Sequence, residues 1–210
     1  MRELILKMSI SIDSFVAGVD GDIQWVFGPD QEARDWTVAT VSNASLHIMG
    51  SRTFHDMAAY WPTATDAFSP PMNQIPKAVF SKQGPAVLKN VSTTTALENA
   101  RANDGPGRSA ALQPGAESWA KTYVASGDLA EEVAMLKAQD GKPIIAHGGA
   151  GFARSLVAHG LVDQYALLVH PVALGKGLPI FSDLAAPMSL KLISSRAFPG
   201  GAVAQIYRPA

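Results

Sequence analysis

The chain has 210 residues, 47% apolar and 17% charged, with a formal net charge of −1 and no cysteine. These values exclude a disordered chain, a disulfide scaffold, thiolate chemistry and cysteine-held metal, and without a basic block they give no footing for nucleic acid or an anionic membrane. No stretch approaches the ~18 apolar residues of a membrane helix, and the N-terminus lacks a small-residue cleavage site, so a soluble cytoplasmic protein is expected.

Leu4 to Ile12 alternates in polarity and is rich in Ile, Leu and Met, the pattern of a central strand. A loop with turn chemistry at Asp20-Gly21 follows, and Gly28-Pro29-Asp30 opens a helix to about Asn43, with Asp30 as N-cap. Leu46 to Met49 is a second strand, ending at Gly50-Ser51-Arg52-Thr53. Phe54 to Tyr60 is a short helix stopped by Trp61-Pro62, and Lys77 to Phe80 is a third strand ending at Ser81-Lys82. Gly84 to Ser118 shows little periodicity beyond Ala96 to Ala102, and residues 103–117 are expected to form a mobile surface insertion within a single domain spanning residues 1–210. Lys121 to Val124 reads as a strand and Leu129 to Ala138 as a helix with one apolar face. Pro143 to Ala146 is a short buried strand, broken by His147-Gly148-Gly149-Ala150-Gly151, after which Phe152 to His159 is helical. Gln164 to Val172 is an apolar strand, and Leu190 to Ser195 with Val203 to Arg208 forms a terminal antiparallel hairpin.

Strands alternating with helices imply a mainly parallel sheet covered on both faces, whose ligands bind beyond the carboxyl ends of the strands. Four segments fall there: Asp13 to Gly18, Gly50 to Thr53, Ser81-Lys82 and His147 to Gly151. A glycine turn opening a helix offers unpaired N–H groups and the positive end of the helix dipole, which suits phosphate. Four such strand ends on one rim suggest a nucleotide with more than one phosphate. A dinucleotide fingerprint fails because Arg154 stands where a third small residue belongs, and no GxxxxGK[ST] loop occurs. Cations at separate strand ends, Arg52 and Lys82, fit NADPH better than NADH.

The order of MGSRTF (Met49 to Phe54), KAVFSK (Lys77 to Lys82), HGGAGFARSL (His147 to Leu156) and LLVHPVALGKGLPIF (Leu167 to Phe181) resembles the dihydrofolate reductase superfamily. Within it, the branch related to the reductase domain of the bifunctional riboflavin-biosynthesis deaminase/reductase is the more similar, and SISIDSFVAGVDGDIQW is similar to that branch's first strand and loop. The resemblance implies a three-layer α/β fold, mainly parallel with the C-terminal hairpin antiparallel. It implies NADPH as cofactor and a small heterocyclic substrate, pterin- or pyrimidine-like, taking a hydride at a C=N or C=O. By position it places Ala17 and Gly18 beside the nicotinamide and Gly50, Ser51, Arg52 and Thr53 at the adenosine-side phosphates. Ser81 and Lys82 fall at the 2′-phosphate, and His147, Gly148, Gly149, Ala150, Gly151 and Phe152 around the pyrophosphate. Where the family carries Arg directly after the first glycine, this chain has Ser51, with Arg52 one residue later. As in similar proteins, a homodimer is expected, through Gln164 to Val172 and the terminal hairpin.

Asp13 and Asp35 are the candidate proton donors, since a carboxylate in an apolar cleft has a raised pKa. Asp13 also reads as a turn-forming residue and Asp35 as one that balances a helix dipole. Trp25, Trp36, Trp61 and Phe15 are candidates for a pocket wall or ordinary core. His47, His147 and His170 read as structural, and the five histidines have no metal spacing, so no metal site is expected. A non-enzymatic nucleotide-binding or sensing module that keeps the rim is the alternative reading.

Overall fold

The computed structural model describes residues 1–89, 91–102 and 107–210. The elements are β1 (Leu4–Ser11), α1 (Gln31–Ser42), β2 (Leu46–Gly50), α2 (Ser51–Tyr60), α3 (Ser69–Gln74), β3 (Lys77–Phe80), α4 (Thr93–Ala102) and β4 (Tyr123–Ala125). They continue with α5 (Leu129–Ala138), β5 (Ile144–Ala146), α6 (Ala150–Ala158), β6 (Gln164–His170), β7 (Leu190–Ala197) and β8 (Val203–Pro209). The strands form one eight-stranded sheet in the order β4-β3-β2-β5-β1-β6-β8-β7. From β4 to β6 neighbours are parallel, and β8 and β7 join antiparallel. Among the described residues no helix is long and apolar enough to cross a membrane.

Alternation along β1 sets the two faces. Leu4, Leu6, Met8 and Ile10 pack with Val133 and Leu136 of α5 and Ala153, Leu156 and Val157 of α6. Ile5 turns the other way, onto Ile145, Ala166 and Val41 of α1. A third cluster sets Met49 and Val79 against Phe54, Met72 and Trp119. Helix starts follow local chemistry: the Asp30 carboxylate accepts from the Ala33 N–H at 3.1 Å, and Asp128 accepts from the N–H groups of Ala130 and Glu131.

Two elements depart from the expected pattern. α3 begins Ser69-Pro70-Pro71, and proline is tolerated there because first-turn N–H groups need no helical partner. The fourth strand starts at Tyr123, since the Lys121 N–H closes a turn onto Ser118 and the Thr122 hydroxyl donates to the Trp119 carbonyl at 2.8 Å. Within the expected insertion, residues 103–106 lie outside the described residues. Beyond them, Ser109 and Gln113 donate N–H bonds of 2.8 Å to the carbonyls of Thr63 and Pro62.

The loop after β1 is clasped by the segment after β6. The Val16 N–H donates to Leu178 at 3.0 Å, and the Leu178 N–H donates to Ala17 at 2.9 Å. Gly177 lies so close that a Cβ would collide with the Ala17 carbonyl and come within 2.9 Å of the Phe15 side chain. Gly177→Ala is therefore expected to cost about 2 kcal/mol through overpacking, lowering Tm by roughly 4–8 °C. Thermal unfolding followed by circular dichroism checks this, and an unchanged Tm would show that the clasp is loose.

Candidate active site

β2 and β5 are parallel neighbours; β2 runs straight into α2, and His147, Gly148 and Gly149 join β5 to α6. Gly50 is the N-cap of α2 and Gly149 that of α6, and neither end carries a side-chain cap. The two ends meet. The His147 N–H donates to Ile48 at 3.0 Å and the Gly50 N–H donates to Gly148 at 3.2 Å. A Cβ on Gly50 would lie 3.0 Å from the Phe152 Cβ, and one on Gly149 would lie 3.0 Å from the Thr53 hydroxyl. Gly148 has a left-handed φ of 81°, and a side chain there would press on Met8 at 3.1 Å. Two helix dipoles and two sets of first-turn N–H groups thus converge at one point, with the glycines leaving it open to an anion.

The other rim residues have distinct settings. Ser51 and Thr53 sit half-buried on the first turn of α2, and Arg52 is exposed beside them. Ser81 follows β3, its N–H donating to Ala125 at 3.0 Å, and the exposed Lys82 ammonium donates to the Gly127 carbonyl at 2.9 Å. Ala150 and Gly151 form the first turn of α6. The Phe152 ring stacks on Phe80, with centroids 4.9 Å apart, and so joins the core beneath the rim. Ala17 is buried in the clasped loop, and the Gly18 N–H donates to Asp22 at 2.8 Å.

The two candidate carboxylates are not placed as acids in an apolar cleft. The Asp13 carboxylate accepts the Ser11 hydroxyl at 2.6 Å, the Leu174 N–H at 3.1 Å and the Gly175 N–H at 2.7 Å. The Ser11 hydroxyl, then the backbone N–H groups, hold its pKa below the usual carboxylate range, the opposite of the expected rise. Asp35 is exposed on α1, whose inward positions are Ala33, Thr37 and Val41, and accepts from Gln31 Nε2 at 2.7 Å.

What the sequence did not single out is Lys7. It lies on the same face of β1 as Ile5, and continuing the β1–β5 register one residue past Leu6↔Ala146 brings it opposite His147, which follows β5. It is half-buried, and burial pushes its pKa down to about 8. Further along this face, His170 pairs with Ser11 in register, and the Trp25 ring meets it edge-on with centroids 5.4 Å apart. The His47 Nε2–H donates to the Val41 carbonyl at 2.9 Å, and its ring meets that of His147 at 4.6 Å. Burial lowers His47 to about 4, and burial followed by the charges of His47, Lys7 and Lys77 lowers His147 well below the ordinary range. Burial, then Lys7, lowers His170. Trp25 Nε1, His147 Nε2 and His170 Nε2 are shielded from solvent and have no hydrogen-bond partner among the described residues. The other aromatic candidates pack elsewhere: Trp36 against Phe198, Trp61 against Phe68, and Phe15 against Gly177. Among the described residues, no three of His, Asp and Glu are grouped to hold a metal ion.

This sheet order, with its phosphate-friendly rim, defines a domain of the dihydrofolate reductase-like fold. The chain belongs to the RibD C-terminal domain family, whose model matches residues 2–204. It is 28% identical over 207 residues to protein YyaP of Bacillus subtilis (strain 168), covering 98% of this chain and 94% of that one. A pyrimidine reductase-like protein of Corynebacterium diphtheriae superposes with a TM-score of 0.61 at 17% identity, covering 100% of this chain and 92% of that one. The diaminohydroxyphosphoribosylaminopyrimidine deaminase/5-amino-6-(5-phosphoribosylamino)uracil reductase of Thermotoga maritima gives 0.66 at 16% identity. There the match covers 100% of this chain and 57% of the larger protein.

A depressed carboxylate pKa contributes stability that is present above the unfolded value of about 3.9 and is lost as pH falls through the folded value. Asp13→Asn should therefore unfold at a lower temperature than the wild type at pH 7, with the gap closing below about pH 4. Melting curves from pH 3 to 8 check this; a gap that widens in acid would contradict the assignment.

Proposed function

We propose that this protein is an NADPH-dependent reductase that delivers a hydride to a small heterocyclic substrate, pterin- or pyrimidine-like. The observation that carries the reading is the meeting of two uncapped helix N-termini at Gly50 and Gly149, an arrangement suited to a pyrophosphate. Membership of the RibD C-terminal domain family, and similarity in fold to a pyrimidine reductase-like protein and to a deaminase/uracil reductase, support the same reading.

In this reading the N–H groups of Ser51 to Thr53 and of Ala150 and Gly151 hold the pyrophosphate, and Arg52 with Ser81 and Lys82 meets the 2′-phosphate. Ala17 and Gly18 border the nicotinamide, and His147 and Phe152 back the glycine turn. Bound NADPH supplies the hydride; the chain supplies orientation and exclusion of water. Asp13 acts as a positioning residue, fixing the loop that carries Ala17 through Leu174 and Gly175. Lys7 replaces the expected carboxylates as the proton-holding group, because an ammonium lowered to about 8 can give up its proton near neutrality. A homodimer belongs to the same proposal. The edge strand β7 is exposed along its length beyond Leu190, with Leu192 and Ile193 half uncovered.

Arg52→Ala and Lys82→Ala are each expected to raise the Kd for NADPH about tenfold while changing that for NADH less than about twofold. Fluorescence titration of both cofactors measures this, and equal losses would remove the 2′-phosphate role. Loss of absorbance at 340 nm with a panel of pterin and pyrimidine substrates separates the reductase from a sensing module. Turnover should fall above about pH 8 as Lys7 deprotonates, and Lys7→Met should leave little activity at any pH. A flat profile above pH 8 would assign the proton elsewhere.

A further inference from the structure

A third helix, α5, also starts from the rim, where β4 ends, and its start differs from the other two. α2 and α6 begin at glycines with no side-chain cap. α5 begins at Asp128, whose carboxylate accepts the N–H groups of Ala130 at 2.9 Å and Glu131 at 3.1 Å. This start carries its own anion, so its dipole is already balanced and two of its first-turn donors are taken. Glu131 and Glu132 add two more carboxylates to the turn, and Glu132 accepts the Gly127 N–H at 3.0 Å and the Tyr123 hydroxyl at 2.9 Å.

The sheet order β4-β3-β2-β5 puts this acidic turn two strand spacings, about 10 Å, from β2 and its Gly50. Lys82 follows β3, which lies between them, and its ammonium donates to the Gly127 carbonyl at 2.9 Å. The ammonium is thus held toward the start of α5 and away from Gly50. The N–H groups of Glu131 and Ala130, and then the Lys82 charge, hold the Asp128 pKa below the usual carboxylate range, so Asp128 is ionised at neutral pH. On the Gly50 side, Ser51 is uncharged and Arg52 is the cation of that turn.

We infer that Asp128 is a positioning residue that sets the preference between phosphorylated and unphosphorylated cofactor, by holding Lys82 at the start of α5 and so narrowing the advantage of NADPH over NADH. This rests on the reductase reading for the presence of a dinucleotide at the rim. A 2′-phosphate has to draw the Lys82 ammonium from the Gly127 carbonyl and the Asp128 charge, and it approaches a turn with three carboxylates to do so. A free 2′-hydroxyl carries no charge and can donate to a carboxylate, so it meets no such opposition. In dinucleotide-binding folds an acidic residue beside this ribose goes with NAD, and a cation with NADP.

The test titrates NADPH and NADH into the full chain carrying Asp128→Asn or Asp128→Ser, with fluorescence as the readout. Asparagine and serine both cap helices, so α5 keeps its start and loses only the charge. Each variant should bind NADPH about fivefold more tightly than the wild type at low salt, and NADH within about twofold of it. The gain should vanish when Lys82→Ala is the background, and it should shrink at about 0.5 M salt. Unchanged affinity for NADPH, equal changes for the two cofactors, or a gain that survives without Lys82 would overturn the inference. Wild-type titrations keep the two ideas apart. A protein that binds NADPH but does not respond at Asp128 loses only this inference, and one that binds neither cofactor loses the reductase reading with it.

Discussion

The structure depends on the contact between two helix starts across adjacent strands. Because Gly50 donates to Gly148, and Gly149 rests against Thr53, the first turns of α2 and α6 are held as one unit. Small residues are required by that closeness: a Cβ at Gly50 would meet Phe152 at 3.0 Å, tighter than ordinary packing. The same closeness leaves two positive helix ends without a side-chain anion of their own. Helix starts in this state suit an external anion, and the proposed cofactor site rests on that property.

A second constraint shapes the neighbouring cleft. The loop after β1 is held by backbone bonds from Leu178 and by the Asp13 carboxylate, which reaches the N–H groups of Leu174 and Gly175. This fixes Trp25 and its surroundings over the ends of β1 and β6, and it uses up the nearest acid. His147 and His170, both with pKa lowered by burial, lie near it together with the Trp25 N–H and the Lys7 ammonium.

Much of the fold was legible in the chain because it is written in short-range chemistry. The alternation of Leu4 to Ser11 specifies a two-faced strand, Asp30 and Asp128 mark helix starts, and the glycines before α2 and α6 mark the rim. The start of α2 at Ser51 and of α6 at Ala150 lie slightly earlier than the apolar pattern suggests, since capless first turns carry no hydrophobic signal. Side-chain roles were less legible, because partners come from far along the chain. Asp13 takes its partners from residues 161 and 162 positions away, and no local pattern shows that. Asp35 falls on the exposed side of α1, off the buried line of Ala33, Thr37 and Val41. Lys7 stands at one of the polar positions of the alternating strand, and its burial shows only in the folded chain. A lone lysine in the central strand of a parallel sheet was the signal available.

The joined helix starts can be tested directly by following the backbone amides of isotopically labelled protein by NMR while NADPH is added. The account predicts that the amides of Ser51, Arg52 and Thr53 shift together with those of Ala150 and Gly151, along one binding curve with a single Kd. Shifts confined to one of the two turns, or a cofactor response that leaves both unmoved, would contradict it.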